Sequence, residues 1–133
     1  MQTEVLIEST TKRYAQKVTA GNHSYNSDEP KDKNGDDTGP SPYELLLSAL
    51  GSCTSMTLTM YAELKKIKLD LVTVRLNYIP PNKLEGTPCR ITRKIHIEGD
   101  FTEEQHHRML EIANRCPVHR TLRQGVEISS SID

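Results

Sequence analysis

Gly39-Pro40-Ser41-Pro42-Tyr43-Glu44-Leu45-Leu46-Leu47-Ser48-Ala49-Leu50-Gly51-Ser52-Cys53-Thr54 is the stretch from which the rest of the chain is read. Ser41 can cap a helix, Pro42 suits the first helical position because its φ is already fixed, and Glu44 at the third position completes a capping box. No breaker follows until about Lys66. Roughly 25 residues at 1.5 Å each make a helix of about 37 Å, the width of a domain. Leu46, Leu50, Cys53, Met56, Met60 and Leu64 fall at three- and four-residue steps along one face, while Leu45, Leu47, Ala49 and Leu58 lie elsewhere on the cylinder. A helix apolar on most sides must be covered on most sides. One small sheet cannot do this, so a second helix and a second chain are expected to share it.

Outward from that helix the pattern becomes shorter. Asn26 to Gly39 is almost wholly polar and rich in turn residues, a loop of about 14 residues that is functional, mobile or an arm on a partner subunit. Before it, Val5 and Ile7, then Tyr14, Gln16 and Val18, suggest two or three short strands. After the helix, Val72, Val74, Leu76 and Tyr78 alternate with polar residues until Pro80-Pro81, and Ile91, Ile95 and Ile97 interleave with Thr92, Lys94, His96 and Glu98 as a hairpin partner. Thr102-Glu103-Glu104-Gln105 is a second capping box, opening a helix with Met109, Leu110, Ile112 and Ala113 inward that ends near Asn114. Pro117 restarts a short helical turn, and Val126, Ile128, Ser130 and Ile132 read as a last strand. Strand pairs without regular βαβ alternation predict an α+β fold with a largely antiparallel sheet.

The chain has 133 residues, the length of a single domain, 1–133. Its net charge of -1 gives no whole-chain pull toward nucleic acid or anionic lipid. Hydrophobic residues are 35%, a lean core that again suggests apolar surface shared with a second subunit. Leu45 to Ala62 carries no charge, yet Ser48, Gly51, Ser52, Thr54, Ser55, Thr57 and Thr59 interrupt its apolar character, so a core helix is expected rather than a membrane span. The N-terminus shows no basic stretch followed by an apolar run, which makes the cytoplasm the expected location.

Three cysteines in such a chain point away from a secreted disulfide framework and toward catalysis, redox chemistry or metal binding. Cys53, among small residues on the apolar face of the long helix, reads either as inert filler or as a protected nucleophile. Cys116, in Cys116-Pro117-Val118-His119, sits at the N-cap of a new turn, where backbone N–H groups and the positive helix end stabilise a thiolate, with Arg115 and Arg120 nearby; its bland alternative is a simple cap. Cys89, after Pro88, has no acid–base neighbour and reads as structural or incidental. Cys116 and His119 stand three apart, but no second such pair exists, so neither a metal site nor a cofactor is expected. His106 and His107 are expected to be solvated. Glu44 is fully explained by its capping box; nine residues on, Cys53 lies about 180° round the helix and roughly 13 Å along it.

Taken together, Gly39 to Thr54 and Cys116-Pro117-Val118 resemble the two hallmark segments of the family of osmotically inducible protein C and organic hydroperoxide resistance proteins, OsmC/Ohr. The polar loop with Asp28-Glu29-Pro30 and the helix before Cys116 extend the resemblance over most of the chain. It implies an intertwined α+β homodimer with two central helices packed against largely antiparallel sheets and active sites at the subunit interface. It also implies a peroxiredoxin-like organic hydroperoxide reductase serving oxidative stress defence, in which Cys53 is the peroxidatic thiolate and Cys116 the resolving one. A dithiol, lipoyl-type among the candidates, would reopen the disulfide. The resemblance asks for an arginine from the N-terminal strands, where Arg13 is the candidate and Lys12 and Lys17 could stand in. Glu44 would be that arginine's acidic partner, although Tyr43 holds the place directly after the proline where family peroxidases carry Glu. His119, where relatives carry Ser, is either a proton donor to the second sulfur or an exposed turn residue. Tyr43 in place of that Glu motivates the alternative of a non-enzymatic protein binding an apolar small molecule or sensing redox state at the dimer interface.

Overall fold

The computed structural model describes residues 2–133. It divides into two compact units, the first ending at Leu46 and the second running from Leu47 to Asp133. In the first, β1 (Val5–Ser9), β2 (Gln16–Ala20) and β3 (His23–Ser27) form an antiparallel meander. Ala20 pairs with His23, so β2 and β3 are joined by the two residues Gly21 and Asn22. Gly21 has φ 59° at the first loop position, a value this kind of hairpin turn requires and glycine adopts freely.

The polar stretch after β3 closes on itself. Ser27 Oγ and the Asp28 N–H both donate to the Pro40 carbonyl, each at 3.1 Å, which brings the two ends of the loop together. At its centre the buried Asp28 carboxylate accepts from the Glu29 N–H at 2.7 Å, the Thr38 N–H at 3.1 Å and Thr38 Oγ1 at 2.8 Å. Burial alone would favour the neutral acid. The hydrogen bonds from Thr38, Glu29 and Asp36 outweigh it and hold the Asp28 carboxyl below the ordinary range.

The long helix α1 covers Pro42–Lys65. Its start is the capping box expected from sequence, with the Ser41 N–H donating to Glu44 Oε1 at 2.9 Å and the Glu44 N–H to Ser41 Oγ at 3.4 Å. Its buried residues are Leu50, Gly51, Thr54, Leu58 and Ala62. The expected face through Cys53, Met56, Met60 and Leu64 is therefore not the one in the core: Cys53 is half-buried, and Met56, Met60 and Leu64 are 59%, 65% and 76% exposed. The reason lies at Thr54, whose hydroxyl donates to the Leu50 carbonyl at 2.7 Å and so enters the core satisfied. By length and composition α1 could cross a membrane, with a window of mean hydropathy 1.3, but it places Leu50, Leu58 and Ala62 in protein packing instead. It stops at Lys66, a left-handed residue at φ 56°, after which the Ile67 N–H donates back to the Ala62 carbonyl at 2.8 Å.

In the second unit β4 (Lys68–Ile79) and β5 (Arg90–Asp100) pair antiparallel. Val72, Val74, Leu76 and Tyr78 face Ile97, Ile95, Arg93 and Ile91 in register, and these positions form the half-buried side of the ribbon. Gly51 lets α1 ride close to β4, since a Cβ there would come within 2.8 Å of Leu76 Cδ1. Helix α2 (Glu103–Ala113) carries the predicted second capping box at Thr102, and α3 (Pro117–Gln124) follows after a short link. Leu58 from α1, Ile97 from β5, and Met109, Ile112 and Ala113 from α2 make one core cluster. Leu110 is exposed rather than inward, because it sits about 100° round the helix from Met109, off the buried stripe. The expected last strand is absent. Residues 125–133 adopt neither helix nor strand, and Val126, Ile128 and Ile132 are exposed. Alternation alone does not make a strand; the backbone needs a ladder, and among the described residues β4 and β5 pair only with each other.

Candidate active site

Three segments of the second unit meet at two sulfurs. Cys116 is fully buried at the N-cap of α3, and its Sγ accepts from the His119 N–H at 3.5 Å, with Pro117 in the first helical turn. Cys53, on α1, lies beside Cys116, and the Val118 backbone and the Thr57 hydroxyl stand close to its thiol. Burial pushes the Cys53 thiol upward, and the neighbouring Cys116 with its negative charge pushes the same way; Val118 and Thr57 oppose them without prevailing.

A cation stands beside them. Arg93 lies on the inward side of β5 opposite Leu76, half-buried. Its Nη1 donates to Thr54 Oγ1 at 3.0 Å and its Nη2 to Asn114 Oδ1 at 2.7 Å. Desolvation lowers the Arg93 pKa, while the negative charges of Cys116 and Cys53 raise it in opposition. The His119 imidazole is held below its ordinary pKa by burial first and then by the positive charges of Arg93 and Arg123. It is therefore a neutral group near neutral pH.

Of the residues singled out from sequence, the structure brings Cys53 and Cys116 together and places His119 next to them. Arg13 and Glu44 belong to the first unit. There the Arg13 guanidinium lies 5.8 Å from the centroid of the Tyr14 ring, and hydrogen bonds with Ser41 hold the Glu44 carboxyl below its ordinary range. Cys89 is exposed between β4 and β5. No three His, Cys, Asp or Glu side chains cluster as metal ligands among the described residues. Sequence reasoning missed Arg93, Thr54 and Asn114. A signal was present for the first: Arg93 falls in the period-two series of Ile91, Ile95 and Ile97, a charge on an otherwise apolar face.

Residues 35–131 match the family model of OsmC-like proteins. The chain belongs to the OsmC-like family. No curated protein matches it in sequence. Among solved structures, it resembles an OsmC-like protein from Mycoplasma pneumoniae with TM-score 0.78 at 20% identity, over 92% of this chain and 88% of that one. An organic hydroperoxide resistance protein OsmC from Legionella pneumophila gives 0.68 at 17%, over 92% and 90%. The organic hydroperoxide resistance protein OhrB of Bacillus subtilis gives 0.64 at 17%, over 92% and 91%. These likenesses establish the OsmC-like α+β fold expected from the two motifs.

Proposed function

We propose that this OsmC-like protein is a thiol-dependent reductase of organic hydroperoxides that works through Cys53 and Cys116. The observation that carries the reading is the nearness of these two thiols, from segments far apart in sequence, to each other and to a half-buried cation. The names of the Legionella and Bacillus proteins of the same fold accord with it. Cys53 is the more accessible sulfur and the one that meets substrate. Once the pair has lost one proton, the Cys53 thiolate attacks the distal oxygen of ROOH; the O–O bond breaks, leaving a sulfenic acid and an alkoxide. The alkoxide takes the remaining thiol proton of Cys116. The Cys116 thiolate then attacks the sulfenic sulfur, forming the disulfide and expelling hydroxide, which is protonated to water. Two thiols and ROOH become a disulfide, ROH and water. A dithiol, the lipoyl type included, would return the disulfide to thiols by exchange.

A raised Cys53 pKa is compatible with this chemistry only because the charge is shared. Proton exchange between the neighbouring thiols places the anion on either sulfur, and a thiolate of higher basicity is intrinsically the stronger nucleophile. The same reading assigns the protein to the cytoplasm, where thiols are kept reduced, and to a homodimer. Exposed Met56, Met60 and Leu64 on α1 support the second assignment. Turnover of an organic hydroperoxide such as cumene hydroperoxide, followed with a dithiol reductant, tests the mechanism. Cys53→Ser is expected to reduce it to the uncatalysed background, and Cys116→Ser to leave Cys53 trapped as sulfenic acid or mixed disulfide. Turnover that survives Cys53→Ser excludes the mechanism.

A further inference from the structure

Each cysteine has a close sequence neighbour that accepts a hydrogen bond from the same side chain. Thr54 directly follows Cys53, and its Oγ1 accepts from Arg93 Nη1 at 3.0 Å. Asn114 is two residues before Cys116, and its Oδ1 accepts from Arg93 Nη2 at 2.7 Å. Both acceptors are themselves fixed. Thr54 spends its proton on the Leu50 carbonyl at 2.7 Å, and Asn114 is the C-cap of α2, its N–H bonded to Leu110 O at 3.2 Å. The arginine stem is anchored in turn, because Arg93 is paired with Leu76 in the β4–β5 ladder. A guanidinium has a planar fork with donors at fixed separation, so its two acceptors cannot drift apart without losing one bond. Both acceptors are neutral, so the positive charge they hold remains available to the sulfurs.

We propose that Arg93 is the positioning residue of the sulfur pair, a single guanidinium that ties the turn of α1 carrying Cys53 to the α2–α3 link carrying Cys116 and supplies the cation facing both. The proposal rests on the thiol-pair reading above, but not on the identity of the oxidant. Its two parts, gauge and charge, separate by substitution. Lysine keeps the charge and loses the fork; glutamine loses both.

The test uses the full chain with exposed Cys89 replaced by serine, and contains no hydroperoxide. In a glutathione redox buffer, one thiolate attacks oxidised glutathione and releases one glutathione thiolate. The second cysteine then displaces another, so the two protein thiols are oxidised as the glutathione disulfide is reduced. The equilibrium constant reports how well the fold holds the sulfurs together. Losing one charge-assisted hydrogen bond of the clamp is expected to lower it about tenfold in Arg93→Lys and in Asn114→Ala. Asn114 is exposed, so the second variant keeps the core and Arg93 intact. The charge is read separately from the pH profile of Cys53 alkylation in a Cys116→Ser background. Arg93→Gln should shift the profile to higher pH and Arg93→Lys should restore it. Unchanged equilibrium constants in both Arg93→Lys and Asn114→Ala overturn the gauge, and an unshifted profile in Arg93→Gln overturns the charge. A protein that forms the disulfide with glutathione but ignores hydroperoxides refutes the proposed function and leaves Arg93's role standing.

Discussion

Asp28 shows how one side chain organises a segment whose sequence shows only polarity. Its carboxylate collects donors from Glu29 and Thr38, and these hold its pKa down despite burial. A group whose folded pKa is depressed contributes stability above its unfolded pKa, about 3.9, and loses that contribution as pH falls through the folded value. Asp28→Asn is therefore expected to melt at a lower temperature than the unsubstituted protein at pH 7, with the gap narrowing as pH falls below about 4. Thermal unfolding at pH 7 and pH 3 checks this; an equally wide gap at both would show that charge is not what Asp28 provides. Arg93 is the complementary case. Its place on the inward face of β5 follows from the strand's period, but the two acceptors it meets come from α1 and from the end of α2, and no local pattern specifies such a meeting. Thr54 was readable only as one of several hydroxyls in an apolar helix.

At the scale of elements, α1 ends without the glycine usual for its geometry. Lys66 takes φ 56° in the left-handed region, which costs a non-glycine residue about 1 kcal/mol. Lys66→Gly should stabilise the protein by roughly 0.5–1 kcal/mol, because relief of that strain exceeds the added freedom of the unfolded chain. Chemical denaturation with an unchanged slope and a higher midpoint is the expected result, and a lower midpoint would refute it. The capping boxes at Ser41 and Thr102 and the ribbon of β4 and β5 were legible because each is written in contiguous residues with a local physical reason. The buried stripe of α1 was not. Its apolar residues surround the cylinder, so periodicity offered several faces and tertiary packing selected the one holding Leu50, Thr54 and Leu58. The residues after Gly125 failed for the converse reason: alternation was clear, but pairing is a property of a neighbour.

For the molecule as a whole, the apolar residues that α1 leaves exposed follow one another at four-residue steps, Met56, Met60 and Leu64. They form a stripe one helix can present to another, and a second copy of the chain is the partner proposed for it. Met60→Glu would bury a charge in that contact; light scattering should then report one chain where the unsubstituted protein reports two, with helix content unchanged by circular dichroism. A mass equal to one chain before substitution would refute the pairing. Two of the three stripe residues carry thioethers, and these have chemistry of their own. A hydroperoxide that outpaces the cysteine pair can convert Met56 and Met60 to sulfoxides, turning flexible oily side chains into polar ones. On the proposed pairing, surplus oxidant would then loosen the contact between copies from the turn of α1 next to Cys53 onward, by wetting the stripe they share, and a dithiol alone would not restore it.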